Sequence, residues 1–336
     1  MKRILAFILL VTVILPGCGK NDFKRTRVLM GTLVEISVAD KDKPTGQIKE
    51  AVDKAFSQME AVDKVMSIYR ADSQLSEVNL NEGQMIAVSD ELLTVIKRSV
   101  YVSRLSEGAF DVTAGPVIEL WGFGGGERTK NLPSLKEINQ ALSAVGCQNV
   151  IIDEQKREIG FAKKGMRIDL GAVAKGYAVD KAVEALKEKG IKNALVNAGG
   201  DIYCLGLNAE NAPWVIGIKD PRNSSGVVTT LKLTNRACAT SGDYENFFLK
   251  NRKRFSHLID PRTGRPVQNK IVSVTVLAPD CFQADALATA VFILGKEKGL
   301  NLINSLAKTE AIIISQEGGR LKTYFSKESC FLKPSN

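Results

Sequence analysis

Apolar residues recur every three or four positions along some stretches of this chain and every second position along others, which divides it into helices and strands. In residues 47–67, Ala51, Ala55, Phe56, Met59, Val62 and Met66 fall on one helical face. The polar turn Ser67-Ile-Tyr-Arg-Ala-Asp-Ser-Gln-Leu-Ser76 follows, with Asp72-Ser73 placed to cap a helix from Gln74 onward. Residues 90–106 and 133–145 read as two more amphipathic helices; in the second, Ser134 stands three residues before Glu137, a capping-box spacing. A long helix is expected over 171–189, closed by Gly190. Helices over 284–294 and 298–306 complete the set. Alternation marks a strand at Leu33-Val-Glu-Ile-Ser-Val38, entered through Gly31-Thr32, and a strand-turn-strand over 194–207. Further strands are expected at 214–219, 227–233, 237–241 and 271–278, with short ones between 150 and 168 and a last hairpin beginning at 311–315. Residues 108–126 are glycine-rich and irregular. Strands in runs, with helices between only some of them, predict an α+β fold of antiparallel sheet and flanking helices rather than a regular βαβ alternation.

The first residues have a different character. Lys2 and Arg3 precede an apolar run from Ile4 to Leu15, too short to span a bilayer, and Leu15-Pro-Gly-Cys18 has the form of a lipobox. Residues 1–17 therefore read as a lipoprotein signal peptide and Cys18 as the lipidated residue, which leaves 18–336 as one domain in the cell envelope, anchored to a bacterial membrane and facing the periplasm. Gly19 gives no inner-membrane retention signal, so either membrane is open. Without the leader, 44 basic residues stand against 37 acidic ones. Both signs are interspersed and no basic block is interleaved with aromatics, so nucleic acid is a poor candidate and an anionic small molecule a better one. Besides Cys18 the cysteines are Cys147, Cys204, Cys238, Cys281 and Cys330, with no C-x-x-C. That argues against a zinc ribbon or redox pair, while an oxidising compartment allows one or two disulfides.

Six places hold candidate chemistry. The chain has a single histidine, His257, within Arg254-Phe-Ser-His-Leu-Ile-Asp-Pro-Arg-Thr-Gly-Arg-Pro266. Proton transfer by an imidazole therefore falls to His257 alone, beside a Pro/Gly turn and several arginines suited to an anion; an ordinary surface turn would share this composition. In Arg167-Ile-Asp-Leu-Gly-Ala-Val-Ala-Lys-Gly-Tyr177, Lys175 opens the long helix, where free amides favour phosphate, although close packing of small residues accounts for the glycines equally well. Asp285 and Thr289 lie four apart on one helix face, two hard oxygen donors that suit Mg²⁺ or, more plainly, a helix-end aspartate and a threonine satisfied by its own backbone. The glycines of Gly108-Ala-Phe-Asp-Val-Thr-Ala-Gly-Pro116 let the backbone approach a ligand, Asn197-Ala-Gly-Gly-Asp201 reads as a turn between strands, and Tyr69 offers a stacking face where aromatics are few.

Taken in order, these segments resemble the ApbE family, the FAD:protein FMN transferases of bacterial envelopes. The matching residues include Met30-Gly-Thr32, Met66 to Ser76, Gly108 to Pro116, Ile168 to Tyr177, Asn197 to Asp201, Ala239-Thr-Ser-Gly-Asp243, His257 to Gly264 and Ala284-Asp-Ala-Leu-Ala-Thr289, spread over residues 23–325. The resemblance implies a T-fold-like architecture with the site in a cleft between two lobes. It implies an enzyme that uses FAD and Mg²⁺, moves FMN through a phosphoester onto a Ser or Thr hydroxyl, and releases AMP. The acceptors it implies are exported flavoprotein subunits of electron-transport complexes with a D-x-x-[ST]-[GS]-A-[ST] type motif. It further implies that Met30, Tyr69, Ala109, Phe110, Asp111, Asp169, Lys175 and Ile259 line the FAD site. Asp285, Thr289 and the Ala172 carbonyl would hold Mg²⁺, with His257 as the base. Two other activities fit the same residues: an Mg²⁺-dependent FAD pyrophosphatase giving FMN and AMP, and a lipid-anchored flavin-binding protein without turnover.

Overall fold

The structure is a computed structural model, and it describes residues 23–124, 132–223, 225–251 and 253–327. The proposed signal peptide, Cys18 and Cys330 lie outside the described residues.

The chain begins with β1 (Phe23–Leu29), β2 (Thr32–Val38), α1 (Thr45–Met66), α2 (Gln74–Leu80), β3 (Ile86–Ala87) and α3 (Asp90–Leu105). It continues through α4 (Gly115–Leu120), α5 (Leu135–Leu142), β4 (Val150–Asp153), β5 (Glu158–Phe161), α6 (Ala174–Glu188), β6 (Ala194–Ala198) and β7 (Asp201–Leu205). Next come β8 (Trp214–Lys219), β9 (Val227–Leu233), β10 (Arg236–Gly242), β11 (Phe247–Lys250), β12 (Lys253–Ser256), β13 (Ile259–Asp260) and β14 (Arg265–Pro266). It closes with β15 (Ile271–Ala278), α7 (Cys281–Leu294), α8 (Lys296–Asn304), β16 (Glu310–Glu317) and β17 (Arg320–Phe325).

Eight strands form one sheet in the order β1-β2-β6-β7-β10-β15-β16-β17, every neighbouring pair antiparallel. Alternate side chains serve two cores, as the two-residue period of a strand requires. Val34, Ile36, Val196, Tyr203, Ala239, Val274, Val276 and Ile313 face α1, α6 and α7. Leu195, Ile202, Cys204, Cys238, Leu277, Ile312 and Ile314 face the β8–β9 hairpin, whose Trp214, Ile216, Leu231 and Leu233 close that side. A third, smaller cluster of Val117, Trp121, Phe123, Ile138, Phe255 and Ile259 stands apart from both. This is the expected α+β arrangement.

The central element is α7. It packs on β10 and β15 and against α6, and eleven of its residues are buried, Asp285 among them. Alanines at 284, 286, 288 and 290 keep it thin enough for neighbours on all sides. The approach of α6 is closest at Gly176, where an added Cβ would lie 2.5 Å from the Cys281 carbonyl oxygen and 3.0 Å from the Asp285 Cβ. The two helices are also joined end to side: Asp180 accepts from the Cys281 and Phe282 amides at 2.7 and 2.9 Å, capping α7 from outside.

Three elements depart from the periodicity reading. β1 is a full strand, hidden because its inward positions include Arg25 and Arg27; both pair with Asp53, and Arg27 lies 4.6 Å over the Phe56 ring. A helical turn, α4, interrupts the glycine-rich segment behind Pro116. The ribbon β11–β12 is aromatic and basic rather than alternating. The allowed disulfides are not formed among the described residues: Cys147, Cys204, Cys238 and Cys281 are free thiols, each buried at its own place in the core. Among the described residues no helix is long and apolar enough to cross a membrane.

The tight α6–α7 contact makes Gly176 a sensitive position. Gly176→Ala is expected to lower stability by about 1–3 kcal/mol, because backbone on α7 has to move to admit the methyl group. Urea unfolding read by circular dichroism checks this, and an unchanged midpoint would show that the helices separate freely.

Candidate active site

A cavity of about 820 Å³ is lined by residues of both the main core and the small aromatic cluster. Its wall includes Met30, Tyr69, Ala109, Phe110, Asp111, Asp169, Ala172, Lys175, His257, Ile259, Asp285 and Thr289, so every cavity residue nominated by the sequence is brought to one place. They arrive from the β1–β2 turn, the C-terminal end of α1, the loops before α4 and α6, the segment after β12, and one face of α7. Met30 sits in a two-residue turn with φ near 51°, followed by Gly31 at 70°, a left-handed pair that matches the twist of a tight hairpin. A methionine there is strained, and such strain concentrates at functional positions.

On the helical side, α6 begins at Ala174 rather than at Gly171. Its first-turn amides are largely engaged within the protein. Ala174 N–H donates to Leu170 at 2.8 Å, and Gly176 N–H donates to Asp285 Oδ2 at 3.2 Å. The free helix end expected from sequence is thus closed by a carboxylate from the neighbouring helix. Lys175 hydrogen-bonds Asp201, which is 2 % exposed, and its Nζ lies 3.5 Å from Asp285 Oδ2. Burial opposes the Lys175 charge, but Asp201 and Asp285 outweigh it and hold the ammonium above its ordinary range. Burial drives the Asp285 carboxyl well above the ordinary carboxylate range and Asp201 adds to the rise, while Lys175 and the Gly176 amide act against it. Thr289 lies one turn further along α7, its Oγ1 3.2 Å from Ser241 Oγ on β10.

On the opposite side, His257 follows β12 directly. Its Nδ1 lies 3.0 Å from the Asn246 carbonyl oxygen, and its own N–H donates to the same oxygen at 2.9 Å. A carbonyl can only accept, so Nδ1 carries the proton and Nε2 is the basic nitrogen. Burial lowers the His257 pKa and Lys175 adds to this, with the Asn246 carbonyl acting against them. The ring also meets the edge of Phe123, with centroids 6.4 Å apart.

The remaining residues divide by what they offer. Tyr69 is 71 % exposed at the rim, and its hydroxyl pKa is raised by partial burial and by Asp169. Asp169 accepts from Gly171 N–H at 2.8 Å, and burial raises its carboxyl. Both Asp111 oxygens are engaged by the loop, with Thr113 on Oδ1 and the Cys147 amide on Oδ2. Ala109 and Phe110 are buried in the wall. Arg262 and Arg265 are not in the lining: Arg262 is held by Asp260 through two bonds of 2.8 Å. Among the described residues the lysine and arginine that line the cavity are Lys175 and Arg70.

Sequence reasoning assigned no chemistry to Asp201, Glu245 or the Asn246 carbonyl. Asp201 lay in a motif read as a turn, and that turn exists, with Gly199 and Gly200 at positive φ. What sequence lacked was the strand order that carries Asp201 to Lys175. Glu245 also lines the cavity; burial pushes its carboxyl up to about 8, with Lys175 lowering it and Asp201 raising it.

Residues 30–313 match the ApbE family profile. The chain belongs to the ApbE family. A relative from Vibrio cholerae, named FAD:protein FMN transferase, is 38 % identical over 270 residues, covering 80 % of each chain. One of the same name from Haemophilus influenzae is 33 % identical over 95 % of each. Among solved structures, flavin transferase ApbE from Vibrio cholerae aligns with a TM-score of 0.81 at 33 % identity, over 91 % of this chain and 97 % of that one. The ApbE protein of Thermotoga maritima aligns with a TM-score of 0.82 at 34 % identity, with the same coverage. The α+β architecture is therefore that of ApbE flavin transferases.

The buried charges lead to a pH-dependent expectation. Removing Lys175 as Lys175→Met leaves Asp201 and Asp285 facing each other, at a cost of about 3 kcal/mol. The loss is greatest at neutral and alkaline pH. It shrinks as pH falls through the raised Asp285 pKa, because protonation removes the repulsion. Denaturant unfolding at pH 5 and pH 8 measures this; an equal loss at both would show that the ammonium does not balance these carboxylates.

Proposed function

We infer that this chain transfers FMN from FAD to a hydroxyl of a target protein and releases AMP. The observation that carries the chemistry is a histidine with a fixed tautomer on the same cavity wall as the Lys175–Asp201–Asp285 cluster. A weak hydroxyl nucleophile needs a base, and a pyrophosphate needs a place where charge is neutralised. The acceptor oxygen attacks the phosphorus of the FMN half while its proton passes to His257 Nε2. The bond from that phosphorus to the bridging oxygen breaks, and AMP leaves with the oxygen and the electron pair. At about 820 Å³ the cavity lies toward the upper end of the roughly 300–1,000 Å³ found for ligand sites, as a dinucleotide requires.

Magnesium is part of this reading. Among the described residues no cluster of three or more His, Cys, Asp or Glu side chains gathers to hold a metal, so a transition-metal site is not what these residues offer. The donor set at the helical side is all oxygen: the Asp285 carboxylate, the Thr289 hydroxyl and the Ala172 carbonyl, completed by water and substrate phosphates. That chemistry fits a hard divalent cation. The protein partners of Asp285 converge on Oδ2, and a dication beside it would offset the burial that raises its carboxyl. Bound there, Mg²⁺ would neutralise charge on the pyrophosphate. We further propose that Cys18 anchors the chain by lipid to a bacterial membrane, facing the periplasm. The inner membrane is the more typical of the family, although Gly19 carries no inner-membrane retention signal. In that setting the acceptors are exported flavoprotein subunits of electron-transport complexes.

Mass spectrometry of an acceptor domain with a D-x-x-T-[SG]-A-T segment, incubated with the chain, FAD and Mg²⁺, tests the reading. A gain of one FMN, lost when the acceptor Thr is changed, is expected; steady AMP release without it would instead mark a pyrophosphatase. His257→Ala is expected to cut transfer by at least about 100-fold while FAD still binds, in line with the usual worth of a general base. Because the histidine pKa lies below its ordinary value of 6.5, the wild-type rate should hold to pH 6.5 and fall only as pH drops through that lowered value. A rate limb centred above 6.5 would assign it to another group. Asp285→Ala is expected to raise the Mg²⁺ needed for half-maximal rate, read from a Mg²⁺ titration of initial rates.

A further inference from the structure

The transferase reading leaves open how the acceptor is recognised, and the ribbon β11–β12 bears on this. It springs from the cavity wall, since Asn246 precedes β11 and His257 follows β12. Its two faces differ. On the inner face Phe248 and Phe255 stack at 5.2 Å and continue to Phe123 and Trp121, which fastens the ribbon to the small aromatic core. On the outer face, register places Phe247 opposite Ser256 and Leu249 opposite Arg254. Leu249 is 67 % exposed. The Arg254 guanidinium lies 4.2 Å over the Phe247 ring.

Arg254 is poorly served by its own protein. Its nearest carboxylate, Asp243, is 3.5 Å away, and both oxygens of Asp243 already accept from Arg222 at 3.0 Å. Arg254 Nη1 is buried beside Asp243 without a hydrogen bond, while 36 % of the side chain stays exposed on the outer face. A guanidinium carries five donors in a planar fork matched to a carboxylate, and the single 3.5 Å ion pair to a shared Asp243 leaves the exposed donors of this one for a second carboxylate. The local field points the same way. Residues 247–265 hold six Lys or Arg against one Asp, a net +5 of the chain's +9.

We propose that the outer face of the β11–β12 ribbon is the docking surface for the acceptor protein, with Arg254 receiving a carboxylate of an extended acidic segment and Leu249 covering an apolar side chain beside it. His257 is three positions beyond Arg254, about 10 Å at 3.3 Å per residue. A segment laid along the ribbon with its acid on Arg254 thus brings a hydroxyl a few residues away to the base. The ribbon selects the acceptor and holds it over the cavity. Steering by its net charge makes acceptor binding sensitive to salt, while Arg254 and Leu249 themselves lie outside the cavity lining.

This proposal rests on the transferase reading, and steady-state flavinylation of a purified acceptor domain separates the two. Wild-type chain that adds no FMN to the acceptor overturns the reading and the docking surface together. If the wild type transfers, Arg254→Gln is expected to raise the acceptor KM at least tenfold and flatten its salt dependence, with the Kd for FAD within twofold. Leu249→Asp, at an exposed site that cannot disturb the core, should raise the acceptor KM in the same way. Changing each acidic residue near the acceptor Thr to its amide should reproduce the Arg254→Gln effect at one position, with no further loss when the two are combined. An unchanged acceptor KM in both variants overturns the proposal. So does an equal rise in the Kd for FAD, which would place Arg254 at the substrate phosphates instead.

Discussion

Two buried carboxylates and one partly exposed ammonium meet between α6 and α7 at the cavity wall, and much of the fold can be understood as what makes that junction tolerable. Desolvating each ion costs several kcal/mol, which their mutual attraction offsets only when the geometry is good and the remaining donors and acceptors are met. Gly176 brings the helices close enough for its own amide to reach Asp285, and Lys175, the preceding residue, turns its ammonium toward both acids. Asp201 reaches the same point because β7 lies under α6 and starts there. Helix α7, buried on nearly every side, keeps Asp285 from moving out to water.

The cavity wall thus has two kinds of support. One side is a rigid helix face over a continuous sheet, where charges are locked by packing. The other is a short ribbon and its following loop, fastened by a run of aromatic rings rather than by the main core. Between them stands the left-handed turn of Met30, with Thr32 packed so tightly on Gly199 that a Cβ at Gly199 would fall 2.4 Å from the threonine oxygen. The rigid side suits the task of holding highly charged phosphates in one geometry. The ribbon side, which carries His257, is held by fewer and smaller contacts.

The legible parts of this molecule are those where one residue type has one physical use. The apolar period of α1 and α3, the capping box of Ser134 and Glu137, and the glycine turns before Asp201 and after Asp260 all form as their residues demand. Motif resemblance placed the cavity residues together, which no local rule does for positions as far apart as Met30 and Thr289. Reading failed where side chains do double duty. In β1 the arginines fill inward positions normally left to apolar residues, and in β11–β12 aromatics and cations alternate across faces instead of along the chain. The basic loop beside His257 misled in another way: its arginines serve Asp260 and the surface, while the cavity takes its cation from a lysine eighty residues earlier. Charge near a site in sequence is a weaker guide than strand order, which sequence does not print.

The His257 ring is oriented by main chain. Many catalytic imidazoles lean on a neighbouring carboxylate, which a single substitution can delete. Here the orienting atom is the carbonyl of residue 246, present whatever side chain stands there. A side-chain change at that position leaves the accepting oxygen, and with it the tautomer, in place. The fragile feature is instead the alignment of two short strands: a one-residue slip between Phe247 and Ser256 would carry the carbonyl away from the ring while leaving every residue of the chain intact. Loss of function in this enzyme can therefore arise in the ribbon's hydrogen-bond ladder, from insertions or prolines far from any atom that touches flavin.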